Sequence, residues 1–147
     1  MRVRIPSSAR MLATVILASV LFTGLAHAAR DKLGKIYVKA DSAEVNGQKF
    51  ADKDLEDSVK DLKKQAGDFI VVNSESDADF LLVAIKREVQ AKSGQPSDKI
   101  LTATLSVRDG TTWKAGTKLS SNEIFWGQAA YHVMKDAAKW VKASRKN

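Results

Sequence analysis

Cysteine is absent from this chain of 147 residues, and histidine and proline occur only twice each. Without a thiol there is no disulfide, no thiolate ligand and no cysteine nucleophile, so the fold must be held by packing alone. His27 falls in an amino-terminal segment read below as removable, which leaves His132. It sits among Gln128, Lys135, Asp136 and Lys139 on the polar side of a helix and reads as a solvated surface residue. A lone imidazole makes no zinc-type site, and most serine–histidine triads go with it. No G-x-G-x-x-G or Walker A pattern occurs, and the eight glycines are scattered at turns. Carboxylates are plentiful, with 17 acids, but hydrolysis by an acid pair needs two of them within about 10 Å in a cleft. Here they fall on helix faces and in turns. The expectation is a chain that is not an enzyme and carries no cofactor and no metal.

One acidic stretch tests that expectation. In Asn73 to Asp79, NSESDAD, oxygen-bearing side chains alternate at Asn73, Glu75, Asp77 and Asp79. A calcium loop would need glycine at its sixth position and a bidentate glutamate at its twelfth; these are Ala78 and Ala84. The spacing predicts a polar turn whose short side chains cap their own backbone.

The first 28 residues read as a secretory signal peptide. Arg2, Arg4 and Arg10 make a basic start, Met11 to Leu25 is almost wholly apolar, and Ala26-His27-Ala28 places small residues where a signal peptidase reads. The apolar run falls short of the roughly 20 residues that span a bilayer. Cleavage after Ala28 leaves residues 29–147 as a single domain, with 21 basic residues against 17 acids, a net +4 instead of +7. That balance suits a periplasmic or secreted domain and gives no concentrated basic face for nucleic acid. Leu21 to Leu25, LFTGL, resembles a lipoprotein processing box with leucine where the acylated cysteine would stand, so neither a lipid anchor nor a transmembrane anchor is expected after cleavage.

What is there is strong hydrophobic patterning. Ile36 to Ala40 reads as a first strand, and Asn46-Gly47 marks a turn that can carry a small hairpin. Asp52 to Ala66 reads as a helix, with a stripe at Leu55, Val59, Leu62 and Ala66, Asp52 as its cap and Gly67 as its stop. Phe69 to Val72 is continuously apolar and predicts a strand buried on both faces, parallel to the first. Phe80 to Ala91 is a long strand, buried at first and solvated later. Lys92 to Lys99, with Pro96, reads as a polar loop. Ile100 to Val107 alternates, with Leu101, Ala103, Leu105 and Val107 inward and Thr102, Thr104, Ser106 and Arg108 outward. Asp109-Gly110 then turns into a last strand from Thr111 to Leu119. Asn122 to Ala143 reads as a second helix, with Ser120 and Glu123 at capping-box spacing. Its inner stripe is Trp126, Ala130, Val133, Ala137 and Trp140, widened by Phe125, Ala129, Met134 and Val141. Two amphipathic helices and a half-exposed sheet give an α+β fold. It is a two-layer α/β sandwich, with a mixed sheet of four to five strands and two helices on one face, in the order β-α-β-β-β-α.

Three surfaces are candidates for binding. Lys135, Lys139 and Lys142, with Lys146 and Arg145 beyond, form a basic stripe suited to an acidic partner, lipid headgroups or an anionic glycan. Trp113, Phe125 and Trp126 are the aromatic candidates. The third is the sheet face away from the helices, at Thr102, Thr104 and Ser106, or a free edge.

From Gly67 to Val89, GDFIVVNSESDADFLLVAIKREV, the order of elements resembles a bacterial envelope domain. A helix runs into F-x-V-V, a polar loop leads to A-D-F-L-L-V, and an alternating strand ends in V-R-D-G. That domain is shared by the curli secretion channel, the penicillin-binding-protein activator lipoprotein and the amino-terminal domain of the translocation protein TolB. The resemblance covers Ile36 to Trp140 and implies a non-enzymatic module that docks on other envelope proteins. The chain lacks the acylated cysteine of the lipoprotein members, so tethering and channel formation are not carried over, and neither is any site residue. The functional expectation is a periplasmic accessory module that binds an envelope protein or an anionic envelope component. The alternatives are an exported inhibitor or sequestering protein, for which Lys92 to Lys99 would protrude, and a small carboxylate-dependent hydrolase.

Overall fold

β-Branched and aromatic runs set five strands side by side in one mixed sheet. The computed structural model describes residues 32–45, 48–51 and 53–147. The signal segment with its cleavage point after Ala28, the Asn46-Gly47 turn and the Asp52 cap lie outside the described residues. The elements are β1 (Lys35–Ala40), β2 (Ser42–Val45), β3 (Gln48–Ala51), α1 (Lys53–Lys64), β4 (Ile70–Val71), β5 (Phe80–Lys92), β6 (Gln95–Asp109), β7 (Thr112–Glu123) and α2 (Trp126–Lys146). The sheet order is β4-β1-β5-β6-β7, while β2 and β3 form a separate antiparallel pair. β1 is parallel to both β4 and β5, and β5, β6 and β7 follow one another by hairpins. The expected sandwich is present, with β4 as a fifth strand and β2–β3 as an added hairpin.

One face of the sheet carries the core. Ile36 and Val38, then Phe80, Leu82 and Ala84, then Leu101, Ala103 and Leu105, and Leu119 at the edge, meet Leu55 and Leu62 of α1 and Ala130, Val133, Ala137 and Val141 of α2. α1 lies over β1 and β5, and α2 over β6 and β7. The α1 stripe includes Ser58, which is fully buried. Its hydroxyl donates to the Asp54 carbonyl at 3.3 Å and accepts from Arg87 at 3.1 Å, so burial leaves no polar atom unpaired.

Several sequence expectations need correction, each for a physical reason. β4 is two residues long and stands at the sheet edge, so Ile70 is exposed rather than buried on both faces. Its neighbour Phe69 is the buried residue, edge-on to Phe80 at 5.6 Å. Thr102 is buried rather than outward, its hydroxyl bonded to that of Ser120 across the strands at 3.1 Å. Lys92 to Lys99 is no loop: only Ser93 and Gly94, the latter at φ +71°, make the turn, and β6 begins at Gln95. The capping box also fails, because β7 runs through Ser120 to Glu123. α2 starts at Trp126, after a Phe125 cap with no side-chain hydrogen bond.

The exposed β5–β6 ribbon is closed by one ionic knot. Asp98 accepts from Lys92 Nζ at 2.8 Å and from Asn122 at 3.1 Å. The Lys92 hydrogen bond, ahead of the Asn122 bond and the lysine charges, holds the Asp98 carboxyl below the usual aspartate value of 3.8. A depressed folded-state value means the contribution is complete above the unfolded pKa and is lost as pH falls through the lower folded one. The Asp98→Asn protein should therefore lose the part of the stability slope that appears below about pH 4. Urea midpoints of both proteins at pH 6, 4 and 3 measure it.

Candidate functional site

The last turns of α1 and the outer face of α2 enclose a basic groove of about 410 Å³. The walls follow from local sequence. Helical spacing puts Lys135, Lys139 and Lys142 along one side of α2, and the turn that ends α1 at Gly67 brings Lys64, Gln65 and Asp68 opposite them. Tyr131 closes one end, with the Lys135 ammonium 5.8 Å from its ring centre. Among the described residues none of Lys64, Lys135, Lys139 and Lys142 forms an ion pair. The lysine stripe read from sequence is thus one wall of a concavity, and Lys64 on the other wall was missed. The charge bias at the α1 terminus was visible, but its approach to α2 is a tertiary fact.

The aromatic candidates do not converge on this groove. Trp113 is half-buried on β7, and its indole N–H donates to the Glu75 carboxylate at 3.0 Å. The Arg108 guanidinium stacks on the same ring at 4.3 Å. Trp126 is half-buried beneath Arg87, whose guanidinium lies 3.8 Å over the ring. Phe125 alone presents its ring to water, 65 % exposed, with Ile124 beside it at 47 %. It is an outlying apolar tip rather than part of the inner stripe. His132 pairs with Glu123 of β7 at 3.2 Å, so it has a definite partner.

The acidic stretch from Asn73 to Asp79 has a structural use. A short 3-10 turn at Glu75–Asp77 crosses the sheet end. Glu75 accepts from Lys39 at 3.3 Å as well as from Trp113, and Asp79 accepts from the Lys35 N–H at 2.9 Å. Arg108 donates to the carbonyls of Ala78 and Glu75. These contacts strap the turn to β1, β6 and β7, and they occupy part of the polar sheet face proposed as a third binding surface. Thr104 and Ser106 remain half-buried there.

No protein-family model and no curated protein matches the chain. Among solved structures it is similar to a PelC dodecamer from Paraburkholderia phytofirmans, with 10% identity and a TM-score of 0.44 over 76% of this chain and 91% of that one. It is also similar to a minor lipoprotein from Acinetobacter baumannii, with 15% identity and a TM-score of 0.40 over 76% of this chain and 92% of that one. No helix among the described residues is long and apolar enough to cross a membrane.

Proposed function

We propose that the protein is an exported, non-enzymatic binding module that docks on an anionic component or acidic protein of the bacterial envelope. The observation that carries this reading is the groove in which four lysines from two elements, without an ion pair among the described residues, face one space. Four lysines against the single carboxylate of Asp68 leave the groove with net positive charge, and a bound anion relieves the repulsion among them at close range. The lysine groove has one acid, Asp68, so it lacks the carboxylate pair that glycoside-type hydrolysis uses. The chain acts in the periplasm or outside the cell, after removal of its first 28 residues.

The test is capture from periplasmic extract and retention on an immobilised polyanion such as heparin. The Lys135→Glu/Lys139→Glu/Lys142→Glu protein should be captured at least about tenfold less well, equivalent to roughly 1.4 kcal/mol of binding energy. It should also elute from heparin at lower salt, because exposed charges are screened within about a Debye length. Equal capture by both proteins removes the groove from the function. A second reading, an inhibitor of an exported enzyme, is favoured by the ribbon, whose residues 88–96 are all exposed. Capture that survives the charge reversal but is lost when the ribbon is shortened would carry that reading instead.

A further inference from the structure

A second concavity, sharing no residue with the lysine groove, lies between the sheet end and the last turns of α2 and measures about 540 Å³. That volume is within the range of small-molecule sites, roughly 300–1,000 Å³. Phe80, Val107, Trp140 and Val141 supply apolar walls, and Arg108 and Arg145 stand at its rim. Arg108 is half-buried and held by the carbonyls of Ala78 and Glu75. Arg145 is exposed, with a single hydrogen-bond partner among the described residues: it donates to the Leu33 carbonyl, with its guanidinium 5.9 Å from the Phe80 ring centre. A guanidinium has five N–H donors, so these bonds leave donors over on each. Among the described residues neither arginine forms an ion pair. Asp79 also lines the cleft, with one carboxylate oxygen occupied by the Lys35 N–H. Two cations against one anion leave the rim positive.

We propose that this cleft binds a small amphipathic anion, with an apolar body against Trp140 and Phe80 and a carboxylate head at the arginine rim. Guanidinium groups match a carboxylate better than ammonium groups do, because their planar fork presents two parallel donors. An anionic head is the complement that the rim lacks, and an apolar body is what the walls exclude from water. The binding would be independent of the lysine groove and of whatever docks there.

Octanoate is the probe, followed on the ¹⁵N-labelled protein by NMR, where the three tryptophan indole N–H signals report separately. Octanoate should shift the Trp140 indole signal and the amides of residues 141–145 saturably, leaving Trp126, which packs against Arg87 outside the cleft, unmoved. Octan-1-ol, with the same body and no charge, should bind about tenfold more weakly, and inorganic phosphate should not reproduce the shifts. Arg145→Gln should weaken octanoate about tenfold, in line with one lost charge-assisted hydrogen bond. Ser144→Phe, at an exposed lining position, should block entry. Absence of a saturable Trp140 shift, equal binding of the alcohol, or unchanged octanoate affinity in both variants would overturn the proposal.

Discussion

The Arg87→Met protein is expected to be less stable than the parent by about 2–3 kcal/mol, measured by urea unfolding at pH 7. Arg87 projects from β5 toward the helix layer, past a bulge at Ile85 that shifts the strand's register. Its guanidinium donates to Asp61 at 3.0 Å and Ser58 at 3.1 Å of α1, and covers the Trp126 ring at the start of α2. One side chain therefore joins the sheet to both helices. It is only 13% exposed, and Asp61 25%, so water replaces the lost bonds poorly. Methionine keeps much of the stem's packing on Trp126 but leaves Asp61 and the buried Ser58 hydroxyl short of a partner. The full loss for a buried pair is about 3–5 kcal/mol, and the partial exposure of Asp61 reduces it. In the Asp61→Asn background the Arg87→Met loss should shrink by at least about 1 kcal/mol, since the stranded group is then uncharged. A loss below about 1 kcal/mol in the parent would mean that the clamp contributes little beyond an exposed ion pair.

Gly116→Ala should cost about 2 kcal/mol, although it adds a single methyl group. Gly116 is the extra residue of β7 opposite a register shift between Leu105 and Ser106. A Cβ there would stand 2.7 Å from the Leu105 carbonyl oxygen and 2.9 Å from Cη2 of Trp140. The first neighbour is backbone in the middle of a sheet and has no rotamer to change. The second is an indole packed against the core. The site needs glycine for space and not for conformation, because positive φ angles occur at Gly34, Gly94 and Gly110 instead. Two further measurements separate this from a general helix or strand preference. Gly127→Ala meets nothing within 4 Å in the first turn of α2, and should stabilise by about 0.5 kcal/mol. Trp140→Phe combined with Gly116→Ala should lose less than the sum of the two, because the smaller ring vacates the contact. Strict additivity would show that Trp140 is not the obstacle.

These two residues mark where sequence reading stopped. The periodicity of Leu55, Leu62, Leu82, Leu101, Leu105 and Val133 gave the layers and the two helices, because burial of apolar stripes has few geometric solutions. The strand–helix–strand order gave the parallel relation of β1 and β4, while the parallel pairing of β1 with β5 emerges only in the structure. Arg87 falls in the later half of the strand from Phe80 to Ala91, which the sequence reads as solvated. Its inward turn depends on the bulge, which no local pattern announces. Gly116 looks like any strand glycine until Trp140, 24 positions later, is folded onto it. Thr102 and Asp98 are buried although their polarity reads as solvated, and Gln95 to Lys99 is strand where polar composition reads as loop. Cross-strand pairing with Ser120 and the Lys92–Asp98–Asn122 knot satisfied those groups within the sheet. Lysine spacing showed half of the groove, and nothing short of the tertiary structure could supply Lys64.

The pairing of β1 with β5 also bears on how the chain reaches this shape. Ile36 opposes Phe80, and their neighbours Lys35 and Asp79 touch although 44 positions separate them. β5, β6 and β7, by contrast, join through turns of two residues. A chain delivered amino end first, from a ribosome or through a pore, releases β1 long before its neighbour exists. The later hairpins zip locally, and closing the large loop onto β1 becomes the slow step. Until then one edge of β5 and part of the stripe of α1, which lies over β1 and β5, stay uncovered, so this molecule's vulnerable moment comes late in its assembly.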